Sequence, residues 1–260
     1  MIRRGIEMKV KIRFSIYLLG ALMAVNVVFA DDPGIRQDAR AIEVLKSMSA
    51  YKASLDRVVI KGVNLTDARL GGGLLVSNST EVKVSIDRPG SVHISSFDGV
   101  ERKEIYFHDG MLTVYGTERN FYAQATIPKD IEAAMEFALE ELDVEAPLMD
   151  LIYRDASTHL IGSQETILYL TDKARVAGTD CHHIVVRGAE ADVQLWVEEG
   201  DRPVPRKIMI TSKWEGGSPR FIANLMWDSD PDFGQEIFEF KPPEGSINIG
   251  FSQSNTSGGE

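Results

Sequence analysis

Ile105 to Ala123 reads IYFHDGMLTVYGTERNFYA. Ile105 and Phe107 share one face of a strand, Asp109-Gly110 reverses the chain, Leu112 and Val114 share a face of the returning strand, and Phe121 and Ala123 follow a second turn. Asp-Gly between alternating runs is a strong hairpin signal, because a two-residue turn that matches strand twist needs positive φ at both central residues. The same period of two extends upstream. Val92 and Ile94 follow Pro89-Gly90, Val82, Val84 and Ile86 alternate with Glu81, Lys83 and Ser85, and beyond a turn at Gly71 to Gly73, Val59, Val63 and Leu65 form an apolar face.

Two changes of period interrupt the strands. Ala41, Val44, Leu45, Met48, Tyr51 and Leu55 recur at helical spacing. So do Ile131, Ala134, Met135, Ala138, Leu139 and Leu142, within a helix expected from Lys129 to Asp143 with its glutamates outward. A short third helix is expected from Pro147 through Ile152. Strands resume near Ile167 and continue through Ile184/Val186, Val193/Leu195/Val197, Ile208/Ile210, Phe221 to Trp227, and Phe238/Phe240. Strands with one wet face form antiparallel sheets, and a long sheet must curl. The expected fold class is α+β: one strongly curved antiparallel sheet of about eleven strands, an open and incomplete β-barrel, with helices on its concave face.

The N-terminus carries a different signal. Arg3, Arg4, Lys9, Lys11 and Arg13 precede an apolar run from Phe14 to Phe29, and Val28-Phe29-Ala30 has small residues at the recognition positions. Residues 1–30 read as a secretory signal cleaved after Ala30, with a run shorter than the ~20 residues of a membrane span. The expectation is a periplasmic protein with no stable membrane span, in which 31–249 form one domain and the polar, glycine-rich 250–260 a disordered tail. The chain carries 28 Lys and Arg against 39 Asp and Glu, a net charge of −11, and loss of the basic leader makes it more acidic. Such a charge repels phosphate backbones and argues against nucleic acid as a partner. Cys181 is the single cysteine, so the domain has no internal disulfide and holds by packing.

The stretch Ile105 to Ala123 resembles the central hairpins of periplasmic lipoprotein carriers of the LolA/LolB type. GTDCHHIVVRGAEADVQLWVEEGDRPVPRKIMITSK (Gly178 to Lys213) and FEFKPPEG (Phe238 to Gly245) resemble a family of predicted periplasmic proteins, domain of unknown function 2092, over roughly residues 38 to 246. The resemblance implies the carriers' open-barrel fold. The arginine that holds the carriers' helices closed has no counterpart, since the residues around Arg57 and Arg69 do not match.

TDCHHIVVRG (Thr179 to Gly188) raises the question of a metal or a thiolate. In a strand Cys181 and His183 share a face and His182 lies on the other, so one strand supplies no three-ligand cluster, and His93, His108 and His159 are scattered. A catalytic thiolate would need a positioned base and an oxyanion site that adjacent histidines do not provide. Asp228-Ser-Asp230-Pro-Asp232 has alternating acids but Phe233 where a calcium loop needs glycine. No cofactor, metal or catalytic residue is therefore assigned.

The function this implies is a non-enzymatic carrier for a lipophilic ligand, a lipid acyl chain or a lipid-modified protein, with a membrane or transporter as transient partner. Its apolar cavity is expected to be lined by Val84, Ile94, Phe107, Val114, Phe121, Leu195, Ile210 and Leu225 and covered by Ile131, Met135, Ala138 and Leu142 of the second helix. Two alternatives stay open: an exported hydrolase or metalloprotein using Cys181 and His183, and a periplasmic scaffold that binds a protein partner at a sheet edge.

Overall fold

The computed structural model describes residues 37–145, 148–155, 157, 161, 167–214 and 216–251. The leader, its cleavage after Ala30, Pro147, His159 and tail residues 252–260 lie outside them. Twelve strands form one sheet: β1 (Arg57–Arg69), β2 (Leu75–Asp87), β3 (Ser91–Phe97), β4 (Arg102–His108), β5 (Met111–Gly116), β6 (Phe121–Thr126), β7 (Ile167–Val176), β8 (Thr179–Arg187), β9 (Ala191–Glu198), β10 (Pro205–Ser212), β11 (Arg220–Asp228) and β12 (Ile247–Asn248). Among the described residues the α-helices α1 (Ala39–Ser54) and α2 (Ile131–Glu140) accompany it.

The strand order is β12-β6-β5-β4-β3-β2-β1-β11-β10-β9-β8-β7, so the curved sheet stays unclosed, with β12 and β7 at its ends. Two meanders, β1 to β6 and β7 to β11, are joined by the antiparallel pairing of β1 with β11. At the tip of the β4–β5 hairpin Asp109 and Gly110 have φ of 49° and 78°, which meets the turn's demand for two positive φ values. The last strand does not lie at Phe238 and Phe240 as expected, where Gln235–Phe238 is a 3-10 turn; it is β12, which runs parallel to β6 with Ile247 opposite Phe121. Two residues are too few to show a period.

Of the apolar face expected on β1, only Val59 is buried. Val58, Ile60, Gly62 and Asn64 are the buried alternating set, whereas Val63 is 44% exposed and Leu65 36%. β-branched residues suit either side of a strand, and the Gly and Asn at positions 62 and 64 conceal the inward face. Space at Gly62 is tight: a Cβ there would stand 3.2 Å from both Leu148 Cδ1 and Leu225 Cδ2.

Each helix covers its own part of the concave face. The Asp38 carboxylate caps α1 by accepting from the Arg40 N–H at 2.9 Å, and Ala41, Leu45 and Met48 pack on Leu168, Ile184, Val186, Leu195 and Val197. The Asp130 carboxylate caps α2 by accepting from the N–H groups of Glu132 and Ala133. Ile131, Ala134, Met135 and Ala138 then bury against Ile60, Val84, Ile94, Phe107 and Leu225. A ten-residue helix is marginal alone, so this burial is what holds α2. It is shorter than the expected span from Lys129 to Asp143, and the expected third helix is a 3-10 turn, Met149–Leu151. On the outer face the segment after β11 crosses back over the first meander, where the Phe240 ring lies 5.1 to 5.5 Å from those of Tyr122, Tyr115 and Tyr106.

Candidate ligand-binding face

Val84, Ile94, Phe107 and Leu225 are buried together beneath Ile131, Met135 and Ala138, and Val114 and Leu142 are half-buried against the same cluster. The other three expected lining residues lie elsewhere. Leu195 belongs to the cluster under α1. Ile210 is half-buried in β10 between Val193 and Phe221. Phe121 is an exposed residue of β6 beside Gly116 and Ile247, at the β12 end of the sheet. The second helix thus covers one part of the expected lining, not all of it, because the β1–β11 junction puts β9 under the first helix and leaves β10 between the two clusters.

The two clusters meet in a seam at Ile208 that the periodicity did not reveal. Cross-strand pairing places Leu195, Ile208, Ala223, Asn64 and Thr80 in one row across β9, β10, β11, β1 and β2. Ile208 packs against both clusters. The next row toward the strand ends contains Val193, Ile210, Phe221, Thr66 and Asn78. The signal available in the sequence was Asn64 itself, a residue depleted from strand interiors, flanked by β-branched and aliphatic neighbours. A shallow hollow of about 170 Å³ lined by Val59, Lys61, Met226, Trp227 and Asp228 also lies along β1 and β11 and shares no residue with this row.

The model of the family described as predicted periplasmic proteins, DUF2092, matches residues 41–252. The chain belongs to this family. No curated protein matches it. Among solved structures the DUF2092 chain is similar to LprF from Mycobacterium bovis, with 10% identity over 76% of this chain and 97% of that one and a TM-score of 0.47. It is also similar to a LolA superfamily protein from Nitrosomonas europaea, at 11% identity over 77% and 97% with a TM-score of 0.36. A putative outer membrane lipoprotein-sorting protein domain from Vibrio parahaemolyticus matches at 8% identity over 76% and 96%, with a TM-score of 0.31.

In this DUF2092 protein arginines tie the segment after α2 to both helices. Arg88 donates to the Ile152 carbonyl, Arg154 Nη1 donates to the Ala53 carbonyl at 2.7 Å, and the Arg154 backbone N–H donates to Glu132 Oε1 at 2.7 Å. Burial, and then the neighbouring Arg154, push the Arg88 guanidinium below its ordinary pKa. Lys103 Nζ donates to the Glu145 carbonyl at 2.8 Å, and burial lowers its pKa too. Arg57, by contrast, stacks over the Phe233 ring at 4.2 Å.

The Cys181 side chain is buried, and its Sγ donates to the Thr179 carbonyl at 3.5 Å. Burial and then the nearby Glu198 push its thiol pKa up, opposite to what a reactive thiolate needs. His183 stacks on Trp196 with 4.3 Å between ring centroids and shares a hydrogen bond with Gln194 at 3.0 Å. Among the described residues no group of three or more His, Cys, Asp or Glu could hold a metal ion. The Asp228 carboxylate accepts from the Asp230 N–H at 3.2 Å, the geometry of a polar turn. No helix among the described residues is long and apolar enough to cross a membrane.

Proposed function

We propose that this protein is a non-enzymatic periplasmic carrier for a lipophilic ligand, an acyl chain or a lipid-modified protein, held on the concave face between the sheet and its helices. The observation that carries this reading is the division of that face. One unclosed sheet bears two apolar clusters under two separate helices, and they meet at Ile208, which packs against both. Parting the helices where the clusters meet opens an apolar cleft between them. A buried methylene contributes ~0.8 kcal/mol, so an acyl chain of about 14 carbons gains on the order of 10 kcal/mol before the cost of association. The resemblance of Ile105 to Ala123 to the carriers' hairpins points to the same class of ligand. Delivery of such a ligand requires a transient membrane or transporter partner.

Titration with a fluorescent fatty acid tests this. Wild type should bind one equivalent, Ile208→Glu in the seam should lose binding, and Gln194→Glu on the outer face should bind as wild type, since only the first buries an unpaired carboxylate. Circular dichroism confirms that each variant is folded. Equal binding by all three, or by none, sinks the proposal.

A further inference from the structure

Asn64 stands at the middle of β1 on the concave face, paired across the sheet with Ala223 on one side and Thr80 on the other. It is 2% exposed, yet neither its Oδ1 nor its Nδ2 has a hydrogen-bond partner among the described residues. A carboxamide offers two donors and an acceptor. Burying it with none of them satisfied is disfavoured relative to an apolar side chain of the same size, which a sheet accepts readily at such a place. An orphaned amide beside the apolar Ala223, Ile208 and Leu195 is therefore a group suited to something other than the fold.

Its surroundings define what it could hold. Toward one end of β1 the floor is apolar and closed: Ile60, Val82 and Leu225 are buried, and Leu148 packs over Gly62. Toward the other end the same face continues with Thr66 and its partner Asn78, beside Thr80, all uncharged and more exposed than Asn64. Asn64 thus marks the border between hydrocarbon-like and water-like surroundings. Along its row run Ala223, Ile208 and Leu195.

We propose that Asn64 is the polar anchor of this face and binds the ester linkage and neighbouring hydroxyl of a neutral, monoacylglycerol-type lipid. The assignment rests on the carrier reading above and names its ligand class. Nδ2 donates to the acyl carbonyl oxygen, Oδ1 accepts from the hydroxyl, and the acyl chain lies along Ala223, Ile208 and Leu195. The head group faces Thr66, Asn78 and Thr80. Those residues offer no cation, and the net charge of −11 works against a free carboxylate or phosphate in the same position.

The test titrates wild type, Asn64→Leu and Asn64→Ala with 1-monopalmitoylglycerol, with palmitate, and with diphenylhexatriene, which has no polar atom. Asn64→Leu should weaken 1-monopalmitoylglycerol about tenfold, equivalent to about 1.4 kcal/mol, and change diphenylhexatriene by less than about twofold. It should also raise the melting temperature of the protein without added lipid, because it relieves the orphaned amide. Asn64→Ala cannot crowd its neighbours and should show the same selective loss, so it decides the matter if the leucine variant does not fold. Unchanged affinity for 1-monopalmitoylglycerol in the folded variants, or tighter binding of palmitate than of 1-monopalmitoylglycerol by wild type, overturns the anchor and leaves the carrier reading standing. Failure of wild type to bind any of the three overturns both.

Discussion

Gly62 sits in a tight floor, since a methyl group there would meet Leu148 and Leu225 at 3.2 Å and the Asn224 carbonyl at 3.3 Å. Gly62→Val should therefore destabilise the protein by about 1–3 kcal/mol in urea denaturation, whereas Lys61→Val, one residue away on the exposed face, should change stability by less than about 0.5 kcal/mol. Equal effects would place Gly62 outside the packed floor. Asp67 makes a pH-dependent contribution. Its carboxylate accepts from Ser77 Oγ at 2.6 Å and from the Arg220 N–H at 3.0 Å, and these contacts, the Ser77 bond first, hold its pKa below the usual 3.8. A carboxyl whose native pKa is lowered adds stability that is complete above its unfolded pKa and is lost as pH falls through the native value. The stability difference between wild type and Asp67→Asn should thus be constant from neutral pH down to about 4 and shrink below it. Cys181, buried with a raised pKa, should react with a thiol reagent only after denaturation. At this scale the sequence was legible where one strand decides the matter: alternation alone separated Cys181 and His183 from His182. It misled on Val63 and Leu65, because an aliphatic residue in a strand does not report which side is dry. The inward Asn64 has a polar side chain, so a search for apolar lining passes over it.

Among the elements, the hairpins were the most legible because each is encoded within a few residues, as Asp109-Gly110 shows. The pairing of β1 with β11 was not, since it joins Val59 to Asp228 and no local signal specifies a partner so distant. That junction decides which helix covers which strands, which is why Leu195 and Phe107 lie under different helices. Of the two helices, α2 has ten residues and contacts the sheet partly through Ala134 and Ala138, small side chains that lose little when separated. Its amides should exchange with deuterium faster than those of β2 to β5 beneath it, and added ligand should slow them. Protection of α2 equal to that of the strands, with and without ligand, would mean that it does not move as a cover.

Taken whole, the molecule is one sheet that twists without closing, and the consequence is a concave face long enough for two helices and a seam between them. Curvature and one-sided burial were readable from strands that alternate over most of the chain. The division into two clusters was not, because it arises from where the two meanders meet. The function proposed for this face is to hold an amphiphile. Native mass spectrometry of the protein isolated from the cells that make it is the decisive measurement. The prediction is a species heavier than the polypeptide by one lipid-sized molecule, released on collisional activation and restored by adding 1-monopalmitoylglycerol. A bare polypeptide mass that neither 1-monopalmitoylglycerol nor a fatty acid shifts would contradict it.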